Sequence, residues 1–136
     1  MEIDAEKMIF LHKSEQAEFI NNVHLKRDDF ELRCDRLIAY YANNKLDRAE
    51  AFGHIQLIQN KVTGRSEKAI LDQKNNTLTL IGNAVLEQEG SRVEGETIVH
   101  DMNRDKTVVQ PGKGGRTYMT IESNQTTDTV LPKDGQ

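Results

Sequence analysis

The chain has 136 residues, of which 36% are hydrophobic, 5% aromatic and 29% charged, with no tryptophan. That is one domain's worth of chain but little to fill a compact core, which suits a thin or elongated architecture. A formal net charge of -4 gives no pull towards nucleic acid or an anionic membrane, and the lone Cys34 excludes an internal disulfide. No apolar run approaches the roughly 18 residues of a membrane-spanning helix.

In chain order, Ile3, Met8 and Phe10 precede a polar gap over residues 12–16. Ala17, Phe19, Asn21, Val23 and Leu25 alternate as in a strand, and Lys26-Arg27-Asp28-Asp29 reads as a charged turn. Phe30, Leu32 and Cys34 alternate again, then Leu37 and Ala39, until Asn43-Asn44-Lys45 breaks the run. Ala51, Gly53, Ile55 and Leu57 make the next strand, Asn60-Lys61 turns, and Val62 and Gly64 lead to Ala69 and Leu71. Leu78, Leu80, Gly82, Ala84 and Leu86 alternate most clearly; Glu89-Gly90-Ser91 turns the chain into Val93, Gly95, Ile98 and His100. A short run at Val108-Val109, a flexible break over residues 111–115 and a last strand through Thr117, Met119 and Ile121 follow. Residues 122–136 are polar and small, which predicts a disordered tail after a domain spanning residues 1–121.

Propensity alone leaves a helical alternative open over residues 2–18 and 31–50, both rich in Glu, Ala, Leu, Lys and Arg. Internal repetition decides against it. Asn21-Asn22-Val23-His24-Leu25, Gly53-His54-Ile55-Gln56-Leu57 and Gly82-Asn83-Ala84-Val85-Leu86 share one pattern, starting at positions 21, 53 and 82, thus 32 and 29 residues apart. A second series places an acid two and four residues before apolar or aromatic positions: Glu6-Met8-Phe10, Asp35-Leu37-Ala39, Glu67-Ala69-Leu71 and Glu96-Ile98-His100. Positions 6, 35, 67 and 96 are 29, 32 and 29 apart, so both series share a period and the ambiguous segments fall in phase with clear strands. The expectation is all-β.

The stretch from Leu80-Ile81-Gly82-Asn83-Ala84-Val85-Leu86-Glu87-Gln88 to Val93-Glu94-Gly95-Glu96-Thr97-Ile98 resembles the OstA-like domain of the LptA family of periplasmic lipopolysaccharide-transport proteins. The copy at Phe52-Gly53-His54-Ile55-Gln56-Leu57, with Gly64 and Ala69-Ile70-Leu71-Asp72, is similar to the preceding repeat of that family, and the likeness spans roughly residues 3–121. Two positions depart from it: Asn21 stands where a glycine is usual and His100 where an aromatic is usual.

The resemblance implies a twisted, open antiparallel β-jellyroll (β-taco) of stacked repeats, with an apolar groove for lipid acyl chains. Its expected cargo is lipopolysaccharide, held by its lipid A, and its expected place is the periplasm, with any signal peptide removed or absent from this sequence. Expected partners are further copies joined head to tail through edge strands, an LptC-like inner-membrane protein and an LptD-like outer-membrane protein. It implies no nucleic-acid partner, no cofactor and no catalytic step. The residues expected to line the groove are Phe19, Val23, Leu25, Leu32, Leu37, Ile55, Leu57, Leu71, Leu80, Leu86, Val93 and Ile98. With few aromatics, facing walls are expected to leave gaps that a flexible chain fills. Burying about thirteen methylenes at ~0.8 kcal/mol each gives ~10 kcal/mol per acyl chain. Association costs on the order of 4–15 kcal/mol, so binding is favourable yet reversible, as conveyance requires.

The same apolar residues also read as plain core, and Cys34 as a small buried hydrophobe. His12, His24, His54 and His100 have no metal-ligand spacing, and Gly112-Lys113-Gly114-Gly115 lacks the spacing and Ser/Thr of a phosphate loop. Alternatives to the transport bridge are another OstA-like member, anchored at the inner membrane or N-terminal in the outer-membrane translocon, and a polymerising β scaffold without lipid. A carbohydrate-active enzyme on a β-solenoid is disfavoured by the lack of a carboxylate pair with stacking aromatics.

Overall fold

The computed structural model describes residues 1–121; the tail expected over residues 122–136 lies outside them. Ten strands follow in order: β1 (Glu2–Asp4), β2 (Lys7–Leu11), β3 (Gln16–Arg27), β4 (Phe30–Ala42), β5 (Lys45–Gln59), β6 (Val62–Asp72), β7 (Thr77–Gln88), β8 (Ser91–Asp101), β9 (Lys106–Gln110) and β10 (Tyr118–Ile121). One 3-10 turn, His12–Ser14, joins β2 to β3. The segments with a helical alternative hold no α-helix: they are strands, interrupted by short links, by the 3-10 turn and by the turn at Asn43-Asn44, as the shared period requires.

All neighbours pair antiparallel in a single open sheet of order β1-β3-β4-β5-β6-β7-β8-β10, with β2 beside β1 on β3 and β9 beside β10 on β8. Each edge is thus one strand's length divided in two. Tight turns are written in residues that tolerate left-handed backbone: Asn43 and Asn44 at φ 53° and 64°, Asp28 at 53°, Asn60 at 54° and Gly90 at 73°. The longer β6–β7 turn is held by Asp72, whose carboxylate accepts the Asn75 N–H (3.0 Å) and side-chain amide (2.8 Å).

The central strands, 11–15 residues long, exceed the usual five or six because each bends in the middle. Two consecutive residues take positive φ in β3 (Asn21 66°, Asn22 49°), β5 (Gly53 82°, His54 49°) and β7 (Gly82 89°, Asn83 47°). Registers with both neighbours shift at these places, as at β-bulges. The bends align into a spine along which the whole sheet folds over. Gly64 proves the closure: a Cβ there would stand 3.2 Å from Leu80 Cδ1 and 3.3 Å from Leu86 Cδ1. Those leucines are six residues apart on β7, about 20 Å along a straight strand. Only a folded strand brings both to one point.

The fold makes two facing half-sheets. One contains β1, β10 and residues 23–27, 55–59 and 84–88, with their paired stretches of β4, β6 and β8; the other contains β2, β9 and the remaining arms. Inward side chains from both form one apolar cluster. The spine forms the closed side and the hairpin tips form two lips of an open side.

The apolar groove, its mouth and its ends

The inner face of the first half-sheet carries an in-register row, Ile3–Leu25–Leu32–Leu57–Gly64–Leu86–Val93–Met119. The second carries Met8–Phe19–Leu37–Ala51–Ala69–Leu80–Ile98–Val109 and, beside it, Phe10–Ala17–Ala39–Ala49–Leu71–Leu78–His100–Thr107. Each row runs the length of the molecule across eight strands, because antiparallel pairing sets inward positions side by side.

Of the residues expected to line a groove, Val23, Leu25, Leu32, Ile55 and Leu57 lie on the first wall. Phe19, Leu37, Leu71, Leu80 and Ile98 lie on the second, and all ten are buried. Leu86 and Val93 face one another on β7 and β8 and are half-buried. All twelve therefore share one interior. That interior is more closely filled along its middle than expected: Leu80 of the second wall reaches the backbone of Gly64 in the first, between Leu57 and Leu86.

Missing from the expected set were the small residues of the second wall, Ala17, Ala39, Ala49, Ala51 and Ala69, all buried. They hold the inward phase, which was the available signal, but alanine weighs little in a hydrophobic pattern. They let the bulkier first wall approach. Also missed were Met1, Ile3, Met8, Phe10, Tyr41 and Leu46, which with Phe19 line a 270 Å³ cavity where the interior opens at the β1/β2 end.

The Cys34 thiol sits in the first wall, and burial pushes its pKa up to about 12, which leaves it inert. Ser66, the one buried polar side chain among the described residues, donates to the Lys68 carbonyl (2.9 Å) across its own bend. The spine is polar on its outer side. The Asn22 amide donates to the Glu6 carboxylate, His54 Nδ1 meets Asp35 Oδ2 at 2.7 Å, and the Asn83 amide donates to Glu67 Oε2 (2.6 Å). The first three acids of one repeat series meet the three left-handed pairs of the other in this one contact, and the fourth acid, Glu96, lies against Gly112. His100, in place of an aromatic, shares a hydrogen bond with the Thr107 hydroxyl (2.9 Å).

The two ends differ. At the first, Met1, Met8, Phe10 and Leu11 are exposed beside Glu2, Asp4 and Glu6. At the last, Val108, Tyr118, Met119 and Ile121 are exposed beside Lys106, Lys113 and Arg116. A larger outer cleft of 620 Å³ near the spine is lined by Arg65, Arg92, Arg116, Glu67, Glu94 and Tyr118 among others. Arg92 is paired there with Glu94 (3.1 Å) and Glu87 (3.6 Å), and charged residues of this kind suit no acyl chain. Among the described residues no helix is long and apolar enough to cross a membrane, and no cluster of three ligating side chains is placed to hold a metal.

A sheet folded along a bulged spine around an apolar interior, with open lips and unlike ends, defines an open antiparallel jellyroll. The family described as LptA/(LptD N-terminal domain) LPS transport protein matches residues 2–106, and the chain belongs to that family. Among solved structures it is similar to LptH of Pseudomonas aeruginosa, described as the LptA homologous periplasmic component of the conserved lipopolysaccharide transport device. The TM-score is 0.81 at 19% identity, over 89% of this chain and 94% of that one. No curated protein matches the chain by sequence.

Proposed function

We propose that this protein carries lipopolysaccharide across the periplasm, holding the lipid A acyl chains between its two half-sheets as one segment of a bridge to the outer membrane. The observation that carries this reading is the apolar interior that runs unbroken from the β1/β2 edge to the β9/β10 edge. A conduit depends on such continuity and on ends that open: at the β1/β2 edge the interior opens into the cavity lined by Met1, Ile3, Met8 and Phe10. Membership of a lipopolysaccharide-transport family supports the choice of cargo. The walls meet through apolar packing, Leu80 against Gly64 among it, so acyl chains that part them replace apolar contacts with apolar contacts at small net cost.

Unlike ends favour joining copies head to tail. Each end presents unpaired strand edges, exposed apolar residues and, among the described residues, a net charge opposite in sign, since Glu2, Asp4 and Glu6 outweigh Lys7 at the first while Lys106, Lys113 and Arg116 outweigh Asp105 at the last. Such a contact is heterologous and does not close, so it extends into a filament. LptC-like and LptD-like proteins at the two membranes would take the free ends by the same edge pairing.

Photo-crosslinking tests the cargo. A crosslinker at Leu86, on the inner wall, captures lipopolysaccharide, while one at Glu87, on the outer face, does not. Equal labelling at both positions sinks the inside groove.

A further inference from the structure

Each lip of the mouth is laced within itself. On one, Gln59 donates to Asp29 (3.4 Å) and Lys61 to Glu89 (2.9 Å). On the other, Asn76 donates to Asn103 (2.8 Å) and the Gln73 N–H to the Asp47 carbonyl (3.0 Å). Among the described residues a single side-chain hydrogen bond runs from lip to lip: Arg27 Nη1 donates to the side-chain carbonyl of Gln73. Neither residue is there by accident of surface. Arg27 continues the inward phase of Val23 and Leu25, and Gln73 that of Ala69 and Leu71, so each is a polar group at the outermost inward position of its arm. Phe30, paired with Arg27 in the β3–β4 hairpin, is buried at the same tip.

We infer that Arg27 and Gln73 form a latch across the mouth of the groove, closed when it is empty and parted whenever a cargo head group passes. This rests on the lipid-carrying reading above. With acyl chains inside, the hydrophilic head must project between the lips and travel along them, and a lip-to-lip bond lies across that path. The chemistry suits repeated opening. A carboxylate opposite Arg27 would hold it by an ion pair, with both partners charged; a neutral amide, with the charge on one side only, holds it more weakly and releases it more easily. Once parted, the guanidinium and the amide are solvated or meet polar groups of the head, so little hydrogen bonding is lost. No ion pair engages Arg27 among the described residues.

Two measurements test it, one free of cargo. Spin labels at Asp29→Cys and Lys74→Cys, with buried Cys34 left unlabelled, report the gap between the lips. A narrow distance distribution is expected, broadening to longer distances on Gln73→Ala; a distribution that Gln73→Ala leaves unchanged overturns the latch. In the second, Arg27→Cys and Gln73→Cys are joined by a short, reducible bis-methanethiosulfonate bridge and lipopolysaccharide loading is followed. Bridged protein is expected to load at least about tenfold more slowly, with recovery on reduction, and Gln73→Ala to load about threefold faster than the parent, as loss of one weakly held hydrogen bond implies. Equal loading of bridged and reduced protein overturns the latch. Failure of the parent protein to load at all defeats the lipid reading instead, and the label distances still decide whether the lips are latched.

Discussion

Glu67 lies directly over Gly82. A Cβ on that glycine would stand 2.8 Å from the Glu67 Oε1, and the same carboxylate accepts a hydrogen bond from the Asn83 amide. Asp35 stands over Gly53 in the same manner, its Oδ2 against the place a Cβ would take, with His54 as the bonded neighbour. The carboxylate both requires the glycine and secures the residue after it, which is how the sheet is creased at one line.

Gly82→Ala is therefore expected to destabilise the fold by about 1–3 kcal/mol, through backbone strain at φ 89° together with the clash with Glu67. Asn21→Gly, at a bend that asparagine already tolerates with φ 66°, should change stability by no more than about 0.5 kcal/mol. Urea denaturation of both variants checks the contrast; equal losses would show that the crease does not depend on glycine.

Leu80 reaches from one half-sheet to Gly64 on the other. Leu80→Ala is expected to cost about 2–5 kcal/mol as a cavity. Gly64→Ala should cost about 1–3 kcal/mol by overpacking, since its new methyl would stand 3.2–3.3 Å from Leu80, Leu57 and Leu86. In combination the two should partly compensate, and a double-mutant cycle by thermal unfolding that is strictly additive would deny contact across the groove.

The carboxylate of Asp35 raises the pKa of His54 above its ordinary 6.5, first by their hydrogen bond and then by charge. The charged pair is thus fully formed below the unfolded pKa and is lost as pH rises through the raised one. His54→Asn, which copies the bends at Asn22 and Asn83, should remove that pH dependence. Histidine titration by NMR checks the raised pKa, and a value at or below 6.5 in the folded protein argues against the pair.

Reversing charge at the first end, with Glu2→Lys and Asp4→Lys together, should weaken self-association by about fivefold at low salt, about 1 kcal/mol for exposed charges. Lys113→Glu with Arg116→Glu on the other end should restore it, and salt should erase the difference. Sedimentation over a wide concentration range decides. A mass fixed at the monomer in every variant would leave edge pairing to other partners.

Much of this was legible in the chain. Leu80, Leu86 and Leu57 kept strict alternation, and two acidic and glycine-bearing series kept one period, so all-β architecture and stacked units followed. That Asp35 and Glu67 act on Gly53 and Gly82 was not legible, because a shared period shows phase but not contact. The closeness of the walls escaped as well: Ala51 and Ala69 look like weak pattern positions until Leu80 and Gly64 show how near the second wall stands. Arg27 and Gln73 are 46 residues apart, and no local signal marks them as facing. Where the fold closes on itself, sequence periodicity is silent.

The alternation along the spine also limits how such a protein can change its size. Strands bearing the carboxylate (β4, β6, β8) alternate with strands bearing the left-handed pair (β3, β5, β7): Asp35 of β4 serves β5 and Glu67 of β6 serves β7, while Glu6, between β1 and β2, serves β3 and Glu96 of β8 lies against Gly112. Removing one strand would set two of a kind side by side and leave the crease without its partner. Removing or adding a hairpin leaves every remaining bend matched. Reach is therefore quantised: a descendant of this chain grows longer or shorter by whole hairpins, and an insertion of any other kind must be spent in a turn.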